Sequence, residues 1–248
     1  NGIILATGPT GSGKTTTLYS MLKEIINPKL NIVTVEDPVE KRIDGVNQVQ
    51  VNTKAGLTFA SGLRSILRQD PDIIMIGEIR DAETAEIAVR ASITGHLVIS
   101  TLHTNDSFSS IARLVDMGVE PYLLADSLRG VIAQRLVKRV CPHCKKEMRI
   151  SDNAREFLGD PTLEKVYIGE GCPLCGNTGY RGRIAVNEIF RVTPEIKRII
   201  VDNGTDVKAM REYAKKKDII TMREEVVALV KEGTTSVEEA LKILYSIE

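Results

Sequence analysis

The chain has no net charge, because its 248 residues include 33 lysines and arginines and 33 aspartates and glutamates. Proteins that bind nucleic acid usually present a strongly basic face to the phosphates. Two local basic clusters, Lys138 with Arg139 and Lys145 with Lys146, are interpreted as solvated surface around a cysteine pair. The composition therefore argues against a stable nucleic-acid partner.

Long apolar runs are also absent. No stretch approaches the about 20 apolar residues that span a bilayer, and we recognise no signal peptide, internal repeat or low-complexity segment. We therefore expect a cytoplasmic protein. Because the chain starts at Asn1 rather than at methionine and soon enters an apolar run, we also expect that an upstream N-terminal domain is missing from it.

Residues 8–15 form a complete GxxxxGK[ST] phosphate loop, directly after an apolar run and before a helical pattern. Backbone N–H groups of such a loop and the start of the following helix bind polyphosphate. Lys14 is predicted to reach the β- and γ-phosphates and Thr15 to ligate Mg²⁺, whereas the alternative is an unrelated turn. The predicted nucleotide-binding residues here are Gly8, Pro9, Thr10, Gly11, Ser12, Gly13, Lys14, Thr15 and Thr16.

Strand-like apolar runs alternate with helical patterns in the first half of the chain, which is typical of a parallel sheet covered on both faces. The predicted strands are Ile3–Ala6, Ile32–Val35, Ile73–Ile76 and Leu97–Ser100. The predicted helices between them are Lys14–Ile26, Leu57–Gln69 and Asp81–Ser92. The sequence therefore predicts an α/β fold of the P-loop type.

Acids and histidines stand at the ends of these strands. Glu36 and Glu78 each follow an apolar strand, which is where open α/β sheets bind ligands, although any buried strand can end in a solvated carboxylate. His96 and His103 bracket the last strand. A histidine there is able to bond a γ-phosphate, but on spacing alone a ring satisfied by the backbone is favoured.

The four cysteines form two CxxC pairs separated by 27 residues. Four thiolates complete a tetrahedral site, so a structural Zn²⁺ is predicted, and the long spacing indicates a small inserted subdomain. A disulfide or a redox dithiol is the alternative. His143, inside the first pair, is a spare ligand at most. The predicted zinc ligands are Cys141, Cys144, Cys172 and Cys175.

The second half of the chain reads differently. A long helical pattern is predicted from Val119 to Arg139, then the cysteine unit, a glycine-rich hairpin at Gly176–Phe190, and four more helices. These helices are Pro194–Asn203, Val207–Lys216, Met222–Lys231 and Val237–Ser246, the last with a capping box from Ser236 to Glu239. The predicted domains are an ATPase core (1–138), a metal-binding subdomain (139–190) and a helical C-terminal region (191–248).

Four blocks together resemble the secretion ATPases of type II secretion and type IV pilus systems. The blocks are the phosphate loop, an Asp box at Ile32–Glu40, a Walker B block at Leu67–Asp81 and a His box at Thr94–Asn105. The resemblance implies a RecA-like P-loop NTPase core. It also implies that Glu36 polarises the attacking water, Glu78 orders the Mg²⁺ shell and His103 senses the γ-phosphate, beside Lys14. Arg64, Arg68 and Arg80 are candidate nucleotide-interface arginines, with surface salt bridges as the alternative.

The resemblance implies a homo-hexameric motor that uses ATP, Mg²⁺ and Zn²⁺. Such a motor docks peripherally on the inner membrane through a platform protein and powers type IV pilus assembly or type II secretion. The tetracysteine unit is similar to that of the secretion and pilus-extension ATPases. The retraction ATPases generally lack such a unit. Two alternatives stay open: a DNA-uptake or DNA-translocating ATPase, and a scaffold that binds nucleotide without hydrolysing it.

Overall fold

A seven-stranded sheet is the largest element of the computed structural model, which describes residues 1–203, 206–217 and 219–247. The described residues form the strands β1 (Gly2–Thr7), β2 (Ile32–Glu36), β3 (Asn47–Gln50), β4 (Ile73–Ile76), β5 (Leu97–Leu102), β6 (Leu128–Val140), β7 (Lys145–Arg149), β8 (Lys165–Gly169) and β9 (Tyr180–Arg191). The sheet has the order β3-β2-β4-β5-β1-β6-β9, whereas β7 and β8 form a separate antiparallel pair. The pairings of β1 with β5 and β6, of β2 with β3 and β4, and of β4 with β5 are parallel, which confirms the predicted fold class.

The chain divides into two compact units. The first unit contains residues 1–133 and 189–219, and the second contains residues 134–188 and 220–248. The units interleave along the chain, whereas the predicted segments 1–138, 139–190 and 191–248 are consecutive, and that division stays a prediction. Residues 204, 205, 218 and 248, within the predicted helical segment, lie outside the described residues.

Helices of the first unit cover the sheet. Successive residues of a strand pack alternately into two buried hydrophobic clusters. The helices are α1 (Lys14–Ile25), α2 (Phe59–Ile66), α3 (Ala82–Ile93), α4 (Ser109–Asp116), α5 (Pro121–Ser127), α7 (Pro194–Asn203) and α8 (Val207–Lys216). Ile74 packs in one cluster and its neighbours Ile73 and Met75 pack in the other, with Leu18 and Leu22 of α1. This two-residue alternation explains why β4 is a continuous apolar run: both of its faces are buried.

The described part of the second unit contains the hairpin of β7 and β8 and several helices. The helices are α6 (Asp152–Leu158), α9 (Met222–Lys231) and α10 (Val237–Ile247). The Ser236 hydroxyl accepts the N–H of Glu239 at 3.3 Å, as expected of an N-cap. The Glu239 carboxylate accepts the backbone N–H of Lys138 at 2.9 Å. No helix among the described residues is long and apolar enough to cross a membrane.

The predicted helix from Val119 to Arg139 is wrong. The structure has the short helix α5 at Pro121–Ser127, followed by the long strand β6. Residues 128–140 are rich in β-branched side chains, and pairing with β1 and burial of Val131 and Val137 decide for the strand. Strand β3, which has mostly polar side chains and forms the sheet edge, was not predicted.

Candidate functional site

Hydrogen bonds between strand ends bring the four sequence blocks to one edge of the sheet. The Thr7 hydroxyl, at the end of β1, donates to the Thr104 carbonyl at 3.0 Å and accepts the Thr104 N–H at 3.1 Å. The Thr101 hydroxyl of β5 donates to the Gly77 carbonyl at 2.7 Å. The Gly77 N–H donates to the Val35 carbonyl at 2.8 Å. Segments distant in the sequence are thus fixed at the carboxyl ends of neighbouring parallel strands.

The phosphate loop leads from β1 into α1 through glycines in left-handed conformations. Gly11 has φ 79° and Gly13, the N-cap of α1, has φ 89°, values that side chains with a Cβ rarely adopt. The buried Lys14 ammonium donates to the carbonyls of Gly8 at 2.8 Å and Pro9 at 3.0 Å. The loop thus holds its own lysine against its backbone, and it ends at the N-terminus of α1, where backbone N–H groups in general are able to bind an anion.

Glu78 and His103 meet beside this loop's strand. The Nε2 atom of His103 lies 3.2 Å from Oε2 of Glu78, and Oε1 of Glu78 forms an ion pair with Arg80. This ion pair, followed by the charge of Asp37, raises the pKa of Arg80 above its ordinary value despite partial burial. The His103 side chain is half exposed and that of Glu78 is 12% exposed, so this group of charges borders solvent.

Glu36 is more deeply buried, with only 2% of it exposed. Its Oε1 atom accepts hydrogen bonds from the Thr34 hydroxyl at 2.5 Å and the Gln48 amide at 3.0 Å, and its Oε2 accepts the Tyr19 hydroxyl. Burial, together with the hydrogen bond to Glu36 and its charge, raises the pKa of Tyr19 to about 12. Both carboxylate oxygens of Glu36 are therefore held by side chains of the protein.

The other candidate residues lie away from this group. Arg64 forms an ion pair with Glu83, as the surface alternative predicts, and Arg68 lies on an exposed turn. His96 is bonded through Nδ1 to the Ala91 carbonyl at 2.9 Å, which is the backbone-satisfied arrangement.

The four cysteines form a compact cluster in the second unit, with all sulfur atoms within 4.8 Å of one another. The Sγ–Sγ distances are 3.9 Å for Cys141–Cys172, 3.9 Å for Cys144–Cys175 and 3.7 Å for Cys172–Cys175. A tetrahedral Zn²⁺ with Zn–S bonds of about 2.3 Å requires Sγ–Sγ distances of about 3.8 Å. The four thiols are free, and these distances far exceed the about 2.05 Å of a disulfide. The donor set therefore fits zinc.

Backbone N–H groups point at one sulfur of the cluster. Burial raises the pKa of Cys144 to about 12. Burial acts the same way on Cys175, but the N–H groups of Cys172 and Gly179, 3.2 and 3.3 Å from its sulfur, lower its pKa to about 6. Backbone N–H groups directed at sulfur stabilise a thiolate, which is the form that binds metal. His143 is exposed.

Residues 1–242 match the profile of the family described as type II/IV secretion system protein. The chain belongs to this family. It is 52% identical over 244 residues to the type IV pilus assembly ATPase PilB of Thermus thermophilus, covering 97% of this chain and 27% of that protein. It is 47% identical over 245 residues to the type II secretion system ATPase E of Vibrio cholerae serotype O1, covering 98% and 48%. These matches confirm the resemblance found in the sequence.

A solved structure also resembles this member of the family. The pilus retraction motor PilT with bound ADP matches with a TM-score of 0.73 and 33% identity, covering 98% of this chain and 61% of that one. The chain spans about half the length, or less, of the curated relatives given above.

The sequence analysis assigns no role to three polar residues that contact Glu36 in this family member: Tyr19, Thr34 and Gln48. Thr34 lies in the same strand and was readable as a polar residue inside an apolar run. Tyr19 falls at a buried position of α1, where periodicity predicts only packing. Gln48 lies on the unpredicted edge strand, so no sequence signal placed it near the site.

Proposed function

We propose that the protein hydrolyses MgATP at the edge of the sheet where the four blocks meet. The observation that supports this most strongly is that Lys14, Glu78 and His103 all follow parallel strands whose ends are hydrogen-bonded to one another. In this proposal the Lys14 ammonium exchanges the Gly8 and Pro9 carbonyls for phosphate oxygens, and the Thr15 hydroxyl holds Mg²⁺. The metal, when bound, withdraws charge from the phosphates.

The contacts of the two acids support different tasks for them. Glu78 borders solvent and has a histidine and an arginine as partners, so we propose it as the carboxylate that orients and deprotonates the attacking water. His103, bonded to Glu78, is proposed to respond to the γ-phosphate. Both oxygens of Glu78 are bonded as well, so burial separates the two acids: Glu36 is only 2% exposed, and we infer a supporting role for it instead of the water-polarising role implied by the resemblance.

The assembly and the machine are part of the same proposal. Arg68 and Arg80 are exposed, which suits residues that contact nucleotide across a subunit interface in a homo-hexamer. We propose that the hexamer works in the cytoplasm, peripherally on the inner membrane through a platform protein. Its two curated relatives above are named for pilus assembly and type II secretion, and we propose one of these as its task, with Zn²⁺ in the second unit.

The test is MgATP hydrolysis measured against protein concentration, with Lys14→Ala as the matched control and with or without DNA. We expect specific activity to increase with concentration, to vanish in Lys14→Ala and to ignore DNA. Activity that requires DNA supports a translocase instead. MgATP binding without turnover at any concentration supports a nucleotide-dependent scaffold.

A further inference from the structure

The hydroxyl of Tyr19 connects the phosphate-loop helix to the segment that follows β2. Tyr19 lies on α1, one and a half turns after Lys14, and only 7% of it is exposed. Its hydroxyl donates to Oε2 of Glu36 and accepts the backbone N–H of Glu40 at 3.2 Å. One oxygen atom thus bonds both the end of β2 and the backbone four residues beyond it.

Gln48 holds the same segment from the side of β3. Its Nε2 donates to Oε1 of Glu36 at 3.0 Å and to the Lys41 carbonyl at 3.0 Å, and its Oε1 accepts the N–H of Ile43 at 2.8 Å. The buried Glu36 carboxylate therefore lies between two anchors, and residues 37–46 are attached to both of them. A buried carboxylate that loses a donor costs free energy, so the anchors depend on one another.

The anchored segment begins with an acid, Asp37, whose charge acts on Arg80. Asp37, exposed and directly after Glu36, lies close enough to Arg80 for its charge to act on the guanidinium. Arg80 in turn pairs with Glu78. Asp37 is the first residue of the anchored segment, so the position of that segment bears on the ion pair of Arg80 with Glu78.

We propose that Tyr19 is a positioning residue for nucleotide hydrolysis, because its hydroxyl fixes residues 37–46 against the phosphate-loop helix through Glu36 and Glu40. The inference rests on the proposed ATP hydrolysis. Through these two bonds Tyr19 holds the segment that begins with Asp37 in a fixed position relative to the phosphate-loop helix.

The experiment compares Tyr19→Phe with the wild-type chain by hydrogen exchange of residues 37–46 and by steady-state ATP hydrolysis. The substitution keeps the buried ring and removes only the hydroxyl. We expect exchange at Glu40 to accelerate about tenfold or more and kcat to fall about tenfold, from loss of a charge-assisted hydrogen bond. KM for ATP should stay within about twofold, because the phosphate loop is untouched. Tyr213→Phe, whose hydroxyl lies 3.0 Å from that of Thr193, is the matched control.

A second variant, Gln48→Met, releases the segment from the opposite side and replaces Tyr19→Phe if that variant does not fold. It should accelerate exchange at Ile43 and lower kcat in the same way. Unchanged exchange and kcat in Tyr19→Phe would overturn the inference, and so would a loss expressed only in KM. If the wild type hydrolyses no ATP, the proposed function fails and the hydrolytic role of Tyr19 fails with it, while exchange still decides whether the hydroxyl anchors the segment.

Discussion

The four sequence blocks at the sheet edge and the cysteine cluster are assembled by different means. At the sheet edge, Lys14, Glu78 and His103 come from distant segments and lie at the same edge because parallel strands end together, with Glu78 and His103 in contact. In the second unit, each CxxC turn presents two sulfurs within four residues, and only two turns need to meet. The edge therefore depends on the buried core of the whole first unit, whereas the cluster depends on local turns and on the ion that they fit.

The two sites also differ in how their polar groups are satisfied. At the sheet edge, hydroxyls, amides and carboxylates of the protein bond one another, as Glu36 does with three donors. At the cluster, four sulfurs lie together with spacing suited to a shared cation. We therefore expect the sheet edge to keep its structure without ligand and the cluster to need its metal.

Metal removal has the largest expected effect. Structural zinc contributes an apparent binding free energy of about 10–16 kcal/mol in zinc-finger peptides. Chelation, or Cys141→Ser, should therefore unfold the cysteine turns while nucleotide binding by the first unit persists. Hydrogen exchange of residues 141–179 measures the unfolding of the cysteine turns, and calorimetric titration with MgATP measures nucleotide binding. His143→Ala, at an exposed site in the same turn, is the control. Lost nucleotide binding on chelation would break the contrast.

The two acids give the next largest effect. Glu78→Gln should lower kcat about 10²–10⁴-fold with little change in Tm, because loss of general base catalysis has that magnitude. Glu36→Gln should instead lower the free energy of unfolding by about 1–3 kcal/mol, because its amide group faces donors that now lack an acceptor. Thermal melts and single-turnover hydrolysis of both variants separate the cases. A Glu36→Gln chain with normal Tm and no turnover would return the water-polarising role to Glu36.

Sequence patterns were sufficient where function depends on local spacing. The phosphate loop, both CxxC turns and the apolar strands β1, β2, β4 and β5 were all readable, because each signal lies within a few residues. The contact between Glu78 and His103 is not itself a sequence prediction. It results from parallel strands that end at the same edge of the sheet.

The rest depended on tertiary contacts. The mixed polar and apolar pattern of residues 128–140 fits a helix, and only pairing with β1 makes it the strand β6. The Tyr19 hydroxyl and the Gln48 amide reach Glu36 only because the fold places α1 and β3 beside it. Polar contacts between distant segments leave no periodic signal, so the anchored state of Glu36 could not be predicted.

An ion pair in the segment after β5 tests the sheet edge with a smaller expected effect. Arg211 of α8 pairs with Asp106 at 2.7 Å, and Asp106 also accepts the Ser109 N–H at 2.7 Å at the start of α4. Asp106 lies three residues after His103, so Arg211→Ala should loosen the segment after β5. We expect a loss of about 0.5–1 kcal/mol in unfolding free energy and faster exchange of residues 103–109. Arg90→Ala, which breaks the pair of Arg90 with Glu86 within α3, should leave that segment unchanged.

The smallest expected effect is a pH dependence confined to the second unit. The hydrogen bond from Lys231, followed by bonds from Thr162, lowers the pKa of Asp160 from 3.8 to about 2. A carboxyl whose pKa is lower in the folded than in the unfolded state stabilises the folded state. This stabilisation is complete at pH values above the unfolded-state pKa, and it is lost as the pH falls toward about 2. Asp160→Asn should therefore reduce the stability of the second unit at pH 5 and flatten its decline between pH 4 and pH 2. Exchange of α9, which carries Lys231, reports the effect, and α3 in the first unit should not respond. A response of α3 would mean that the two units unfold together, and the separation of nucleotide binding from the metal would then fail as well.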